Sequence, residues 1–440
     1  MSALFAIATS AASPFHSLGW ICLGLFIASL ALVVLEERLH LRKSKPVILA
    51  ACAIWTLICI VQGGDPEAKA AITSRLHHML AEYCDLLLFL MVAMVYVGAM
   101  KALGVFNILR AKLMGASLGY HGLYWALGAC AFCISPFADN LTTAMVMGSV
   151  VLAVANGDRR FAVPGFIHVV VAANAGGVPS PFGDVTSLMV WQRGKLAIDE
   201  FLPLIPPALI AWLVPALLMS FFLPKSSPLV DAEPAPVSKN GIVVVILFAV
   251  TIVFSVVMKH RYGLPPSLGM MTGFGFFAIH SYFATRSAVR QSELEEAKRA
   301  DIFTMVEKSE FDTLLFFFGV IFAIGGLSHL GWLAMLNSQV VEHWGCTSLC
   351  VLAGLLSCIV DNIPMMYAVL EMNPEMSLWH WQLVTLTTGI GGSILAVGSA
   401  AGVALMGVAK GEYTFMAHLR YSWAVLIGFF AAVGVHCLMR

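Results

Sequence analysis

Apolar runs separated by short polar loops recur from one end of this chain to the other, and they fall into two kinds. Runs read as membrane spans lie at 18–35, 46–61, 83–100 and 201–223, and again at 241–258, 265–283, 311–330 and 421–439. Between them sit shorter runs in pairs, 119–134 with 141–155 and 346–359 with 363–372. At roughly 15 residues or fewer, these are short for a bilayer crossing, which takes about 20. Each pair is followed by a run that glycine interrupts. The first, 163–174, breaks at Ala175-Gly176-Gly177-Val178-Pro179-Ser180-Pro181 and resumes over 184–191. The second, 381–408, is punctuated by Gly389, Gly391, Gly392, Gly398 and Gly402. The pattern predicts an all-α polytopic membrane protein with two helical hairpins and two broken transmembrane helices.

Both short pairs turn on the same signal. Ser135-Pro136-Phe137-Ala138-Asp139-Asn140 joins the first pair and Ser357-Cys358-Ile359-Val360-Asp361-Asn362 the second, half a chain length apart. Gly176-Gly177 followed by Gly183-Asp184 matches Gly392 followed by Gly398-Ser399. The spacing divides the chain into a first half, 1–223, a Pro-containing polar linker, 224–240, and a second half, 241–440. The charged segment 286–310 has the composition of a surface helix.

Composition agrees with a chain in lipid. Hydrophobic residues make up 60% and charged residues 11%, against about a quarter charged in soluble domains. Net charge is zero, and a chain so embedded offers no surface for a nucleic acid. The ten cysteines are scattered; Cys130 and Cys133 form a CxxC with no second pair at metal spacing, which reads as packing. No cofactor is expected. The first 14 residues lack a basic signal-peptide region, so the run from Leu18 reads as a retained span.

Lys and Arg set an orientation. With 36–45 placed in the cytoplasm, the loops on that side collect 18 basic residues and the opposite side 7, which puts the N-terminus outside. The first hairpin (119–155) is flanked by basic loops, whereas 331–345 and 373–380 around the second (346–372) contain none. The first therefore enters from the cytoplasm and the second from outside, as an inverted repeat requires. Unwound backbone at membrane depth is tolerated only where it lines a cavity or is buried in protein, so tips and breaks are expected to meet.

A small hard cation such as Na⁺ needs several oxygens to replace its water, and a carboxylate to offset its charge in low dielectric. Asp139, Asp361 and Asp184 supply carboxylates, with Na⁺ assigned to Asp139 and Asp361. Asn140, Asn362, Thr142, Thr186, Ser357 and Ser399 supply neutral oxygens, with Thr143, Ser180, Asp312 and Ser393 behind them. Loss of water disfavours a charged carboxylate, so one such group can hold a proton or a cation but not both. The plainer readings are helix capping by the Asp-Asn steps, small interface residues for Thr142, Thr143, Ser393 and Ser399, and an interfacial role for Asp312. His168, His280 and His329 read as packing residues. Capping alone does not need a charge, which is costly in a membrane and marks function by default.

Three stretches carry a resemblance: Cys133-Ile-Ser-Pro-Phe-Ala-Asp-Asn-Leu-Thr-Thr-Ala144, Gly176-Gly-Val-Pro-Ser-Pro-Phe-Gly-Asp-Val-Thr-Ser-Leu-Met-Val-Trp191 and Asp361-Asn-Ile-Pro-Met-Met-Tyr-Ala-Val-Leu370. They resemble the signatures of NhaD-type sodium/proton antiporters in the ion transporter superfamily, and weaker similarity extends it over most of the chain from about Tyr83. The resemblance implies inverted repeats, elevator-like alternating access, a homodimer, and Na⁺ (with Li⁺) extrusion against protons across a bacterial inner membrane, in the service of pH homeostasis. It carries the cation site onto Asp139, Asn140, Thr142, Asp184, Thr186, Ser357, Asp361 and Asn362. One departure is Met100-Lys101-Ala102, where Lys101 stands in place of an acidic pair.

Three rival readings are weaker. A sodium-coupled dicarboxylate symporter of the same superfamily would face its anion with neutral Ser-Asn-Thr tips, and Asp139 and Asp361 would repel it. An intramembrane aspartyl protease needs Gly-x-Gly-Asp, whereas Pro181-Phe182 precedes Gly183-Asp184 here. A passive channel has no need of titratable groups at both tips.

Overall fold

A backbone in lipid must satisfy its own N–H and C=O groups, and among the described residues this chain does so with helices alone. The computed structural model describes residues 17–39, 41–115, 118–225, 239–290, 301–307, 310–409 and 411–440. The first half runs through α1 (Ser17–Val34), α2 (Ser44–Gln62), α3 (Pro66–Ala102) and α4 (Val105–Gly115). A hairpin follows, α5 (Tyr120–Ala138) and α6 (Asn140–Ala155), then a broken pair, α7 (Arg159–Gly177) and α8 (Val185–Gln192), then α9 (Ile205–Ser220). The second half has α10 (Lys239–Tyr262), α11 (Pro266–Arg290), α12 (Ile302–Glu307), α13 (Phe311–His329) and α14 (Trp332–Asn337). Its hairpin is α15 (His343–Val360) and α16 (Asn362–Met372), its broken pair α17 (Leu378–Gly391) and α18 (Ala400–Val408), closed by α19 (Phe415–Leu419) and α20 (Ser422–Leu438). Seven helical stretches among the described residues are long and apolar enough to cross a membrane. The chain is a multi-pass membrane protein.

Three boundaries differ from the sequence reading, each for a physical reason. Helix α3 starts at Pro66 rather than at 83, because Asp65 caps it by accepting from the Glu67 N–H at 3.3 Å. An apolar-run criterion cannot see the polar turns that follow. The first arm of the first hairpin is longer than 15 residues, with 19 in α5, whereas α15 breaks at Gly345 (φ 78°, ψ 165°) and continues over 346–360, close to the expected 346–359, and α16 has 11. Helix α5 continues through Ser135-Pro136-Phe137-Ala138 to about 28 Å at 1.5 Å per residue, so a polar residue and a proline do not end it. In 286–310, α11 runs on to Arg290 and α12 covers Ile302–Glu307, while 291–300 and 308–309 lie outside the described residues. Most of the linker, 226–238, also lies outside them.

The broken helices form the centre. Every residue of α7 from Phe161 to Gly177 is buried, as is every residue of α17 from Trp381 to Gly391. Helix α5 packs along α7 and α15 along α17; across the halves, α6 packs on α18 and α16 on α8. Around this core, α13 packs along α2, α9 along α20, and α10 along α11.

Glycine makes these approaches possible. A side chain at Gly176 would come within 2.8 Å of the Phe132 Cα, and one at Gly391 within 2.8 Å of the Gly354 carbonyl carbon. Both are backbone-to-backbone contacts, so nothing flexible can give way. We expect Gly391→Ala to destabilise the protein by at least about 1–3 kcal/mol, the range for overpacked cores. Gly275→Ala, whose new methyl would meet open space, should leave stability unchanged. Thermal unfolding of both purified variants in detergent checks the contrast; equal stability would mean the close approach is not real.

Candidate functional site

Four of the helices described begin inside the fold, where water cannot satisfy their first N–H groups, and each begins on a side-chain cap. For α6, Asp139 Oδ1 accepts from the Thr142 N–H at 2.8 Å and Oδ2 from the Thr142 hydroxyl at 2.8 Å. For α8, Asp184 Oδ1 accepts from the Thr186 N–H at 3.0 Å. Helix α16 is capped by Asp361, which accepts from the Ile363 N–H at a long 3.5 Å. Helix α18 is capped by the Ser399 hydroxyl, which accepts from the Gly402 N–H at 3.3 Å.

The two hairpin tips share an uncommon backbone. Asp139 has φ 51° and ψ 158°, Asp361 φ 79° and ψ 146°. Non-glycine residues rarely adopt this region, which costs about 1–3 kcal/mol and clusters at functional sites. Other contacts also come in pairs. The Ser135 hydroxyl donates to the Ala173 carbonyl at 2.5 Å, and the Ser357 hydroxyl to the Thr388 carbonyl at 3.2 Å. Gly177 abuts Gly183 as Gly392 abuts Gly398. The doubled spacing in the sequence is thus a doubled set of contacts.

Hydrogen bonds tie each tip to the break in the other half. The Asn362 amide donates to Asp184, at 3.2 Å to Oδ2 and 3.4 Å to Oδ1. On the other side the Asn140 amide donates to Asn174 Oδ1 at 3.1 Å. The Asn174 amide then donates to the Ser393 hydroxyl at 2.8 Å and the Ser399 hydroxyl at 3.0 Å. Asn140, Asn174, Asp184, Asn362, Ser393 and Ser399 are all buried. One cavity is lined by Asp139, Asn140, Asp184 and Asn362 together with Phe89, Phe182, Leu188 and Phe317. No Lys, Arg or His is among its described lining residues.

Asp139 also lines a second cavity, with Thr142, Lys101 and Glu310. Glu310 in turn lines a vestibule with Glu36, Arg42, Lys43, Glu307 and Asp312. That vestibule shares Leu141, Thr313 and Ala400 with the central cavity. Charged groups therefore lead to the tips from this side.

The structure brings Asp139, Asn140, Asp184 and Asn362 to one cavity, with Thr142 bonded to Asp139 and Ser393 and Ser399 linked through Asn174. Other expected residues stand apart. Asp361 is not among the lining residues of the central cavity. Ser357 is spent on backbone carbonyls, and Ser180 donates to the Pro136 carbonyl at 2.8 Å. The Thr143 and Thr186 hydroxyls are buried without a partner. Asp312 accepts from the Ser44 hydroxyl at 2.6 Å, joining α13 to α2 at the vestibule. Among the described residues no group of three or more His, Cys, Asp or Glu could hold a metal ion. The sequence reading missed Asn174, though a lone amide at the end of the apolar run 163–174 was its signal. It also missed His418, whose Nε2 lies 3.0 Å from the Ser393 carbonyl and whose Nδ1 lies 2.6 Å from the Tyr413 hydroxyl.

The chain is similar to known transporters over most of its length. The citrate transporter family model matches residues 30–389. A Na⁺/H⁺ antiporter NhaD of Alkalimonas amylolytica is 44% identical over 437 residues, 95% of this chain and 90% of that protein. The NhaD of Halomonas elongata is 46% identical, over 96% of this chain and 88% of its own. The NhaD of Vibrio cholerae is 44% identical, over 97% and 93%.

Removing the bridging amide should be felt at once. Asn174→Ala leaves Asn140, Ser393 and Ser399 short of partners and is expected to cost about 1–3 kcal/mol, the penalty for unsatisfied buried groups. Thr143→Val removes a hydroxyl that has no partner and should leave stability equal or higher. Unfolding midpoints in detergent separate the two; an Asn174→Ala protein as stable as its parent would break the proposed bridge.

Proposed function

The chain belongs to the citrate transporter family and groups within it with the NhaD Na⁺/H⁺ antiporters, and on that premise we propose that it exchanges Na⁺ for H⁺ across the membrane. The observation that carries this reading is the shared cavity: Asp139 and Asp184 face it, flanked by Asn140 and Asn362, with no basic group among the described lining residues. A dehydrated Na⁺ would take oxygens from Asp139, Asp184 and the two amides, with Thr142 and the unwound backbone in reserve. Protonation of the same carboxylates removes the charge that holds the cation, so the two cargoes compete. Asp361, held by one long bond, is the third exchanging carboxylate. Thr142 and Thr186 hold Asp139 and Asp184 in place, while Asn174, Ser393 and Ser399 fix the tip of the first hairpin.

The paired tips and breaks support an inverted repeat of 1–223 and 241–440 joined by 224–240. The Lys and Arg split supports an N-terminus outside, and we place the chain in a bacterial inner membrane. The vestibule lined by Glu310, Lys43 and Arg42 then faces the cytoplasm, where Na⁺ would enter for export. The citrate transporter description favours a second reading, sodium-coupled uptake of an organic anion. The two carboxylates in the cavity count against it, because they would repel such an anion.

Proteoliposomes loaded with Na⁺, with no organic anion present, decide between the two. Na⁺ leaving by exchange should acidify the lumen, and Asp139→Asn or Asp184→Asn should bring the rate down to that of empty liposomes without reducing the protein incorporated. A silent lumen, with Na⁺ efflux appearing only when dicarboxylate is supplied inside, would overturn exchange in favour of symport.

A further inference from the structure

At the end of the bundle away from the vestibule, three helices are pinned together by charge. Glu371 near the end of α16 pairs with Arg75 of α3 and, at 3.4 Å, with Arg193. Arg193 also pairs with Glu82 of α3 at 2.8 Å. The Glu371 side chain is only 6% exposed, so its charge depends on the two guanidiniums; removing one partner of a buried pair is strongly destabilising to the arrangement it holds. Arg193 is also the C-cap of α8, the eight-residue helix whose N-cap is Asp184. Lys259 of α10 reinforces the same end by donating to the Trp191 carbonyl. A rod of two turns thus connects the ion pairs to the candidate site.

Beneath the ion pairs lies a separate cavity lined by Glu82, Asp85, Gln192, Arg193 and Tyr367. The Tyr367 hydroxyl and the Gln192 amide nitrogen are buried there without a partner, and Tyr367 is 3% exposed. Buried polar groups seek partners, so this pocket is suited to water and not to a dry seal. It shares no lining residue with the central cavity, yet the same four helices line both. Leu86 faces one and Phe89 the other, as do Met189 and Leu188, Ile321 and Phe317, and Tyr367 and Ile363. The barrier between them is about one helical turn, or ~5.4 Å.

We propose that the Arg75–Glu371–Arg193–Glu82 cluster is the closed gate of a second access route to Asp184, and that Arg193 is the positioning residue that couples the gate to Asp184 through α8. With the cluster intact, the site communicates with the vestibule side and the polar pocket stays cut off from the central cavity. Breaking it frees the C-terminal end of α8 and lets the pocket join the central cavity. The proposal deepens the exchange reading, which needs access from both sides, but the labelling that tests the gate does not itself measure transport.

Ile321 lines the polar pocket and belongs to neither gate nor site. In protein with its exposed cysteines replaced, Ile321→Cys is reacted in detergent with a small charged methanethiosulfonate, which makes membrane orientation irrelevant. Labelling should be slow in that parent, at least about tenfold faster with Arg193→Gln, as a shift of a two-state equilibrium toward the open form requires, and intermediate with Arg193→Lys. Glu82→Gln removes one arm at a side chain that is 25% exposed and serves if Arg193→Gln does not fold. Parental labelling rates in the folded variants would overturn the gate and leave exchange standing. Accelerated labelling in a protein that moves no Na⁺ or H⁺ in liposomes would uphold the gate and overturn the exchange reading instead.

Discussion

The first N–H groups of a helix that begins away from water have to find an acceptor in the protein itself. This fold meets that demand four times among its described helices, with Asp139, Asp184, Asp361 and Ser399. Much else follows from it. A cap must stand at the turn between two apolar segments, so the helices break where Gly and Pro permit. An aspartate in such a place brings a charge, and a charge there calls for donors. The Asn362 amide answers by reaching across to Asp184 in the opposite half, while Asn140 reaches Asn174 in its own half, whose amide makes the crossing to Ser393 and Ser399. The interior stays polar along one seam while the surrounding helices remain apolar.

The seam is doubled but not equal. Where Thr142 gives Asp139 an N–H and a hydroxyl, the matching place after Asp361 is Pro364, which has neither. Opposite Asp184, the cap of the second break is Ser399, and the counterpart of Asn174 is Gly389, which has no side chain. One crossing is therefore anionic, Asn362 to Asp184, and the other neutral, Asn140 through Asn174 to two serines. The two sides share a frame of matching contacts, and a few residue differences make them chemically different.

Much of this could be read from the residues alone, since the signals were expensive ones. Aspartate beside asparagine in an apolar run, and paired glycines after it, have few uses in lipid, and they located both tips and both breaks. Helix lengths were less legible. Apolar runs mark where a chain meets lipid or core, whereas α3 opens with turns of Glu67, Lys69, Arg75 and His78 that are helical without being apolar. Asn174 escaped notice because its role depends on who lies across from it. The same holds for Arg193 and Glu371, which are 178 positions apart in the chain and meet only after folding.

The backbone contact at Gly176 and Phe132, repeated at Gly391 and Gly354, has a mechanical consequence. Side chains between two helices act as a compliant layer, able to rotate and absorb a small shear. Here that layer is missing, and main chain rests on main chain. Each hairpin arm and the broken helix beside it are therefore stiffly coupled, with little play between them. A displacement of a hairpin arm at that point is expected to pass to the broken helix beside it with little loss.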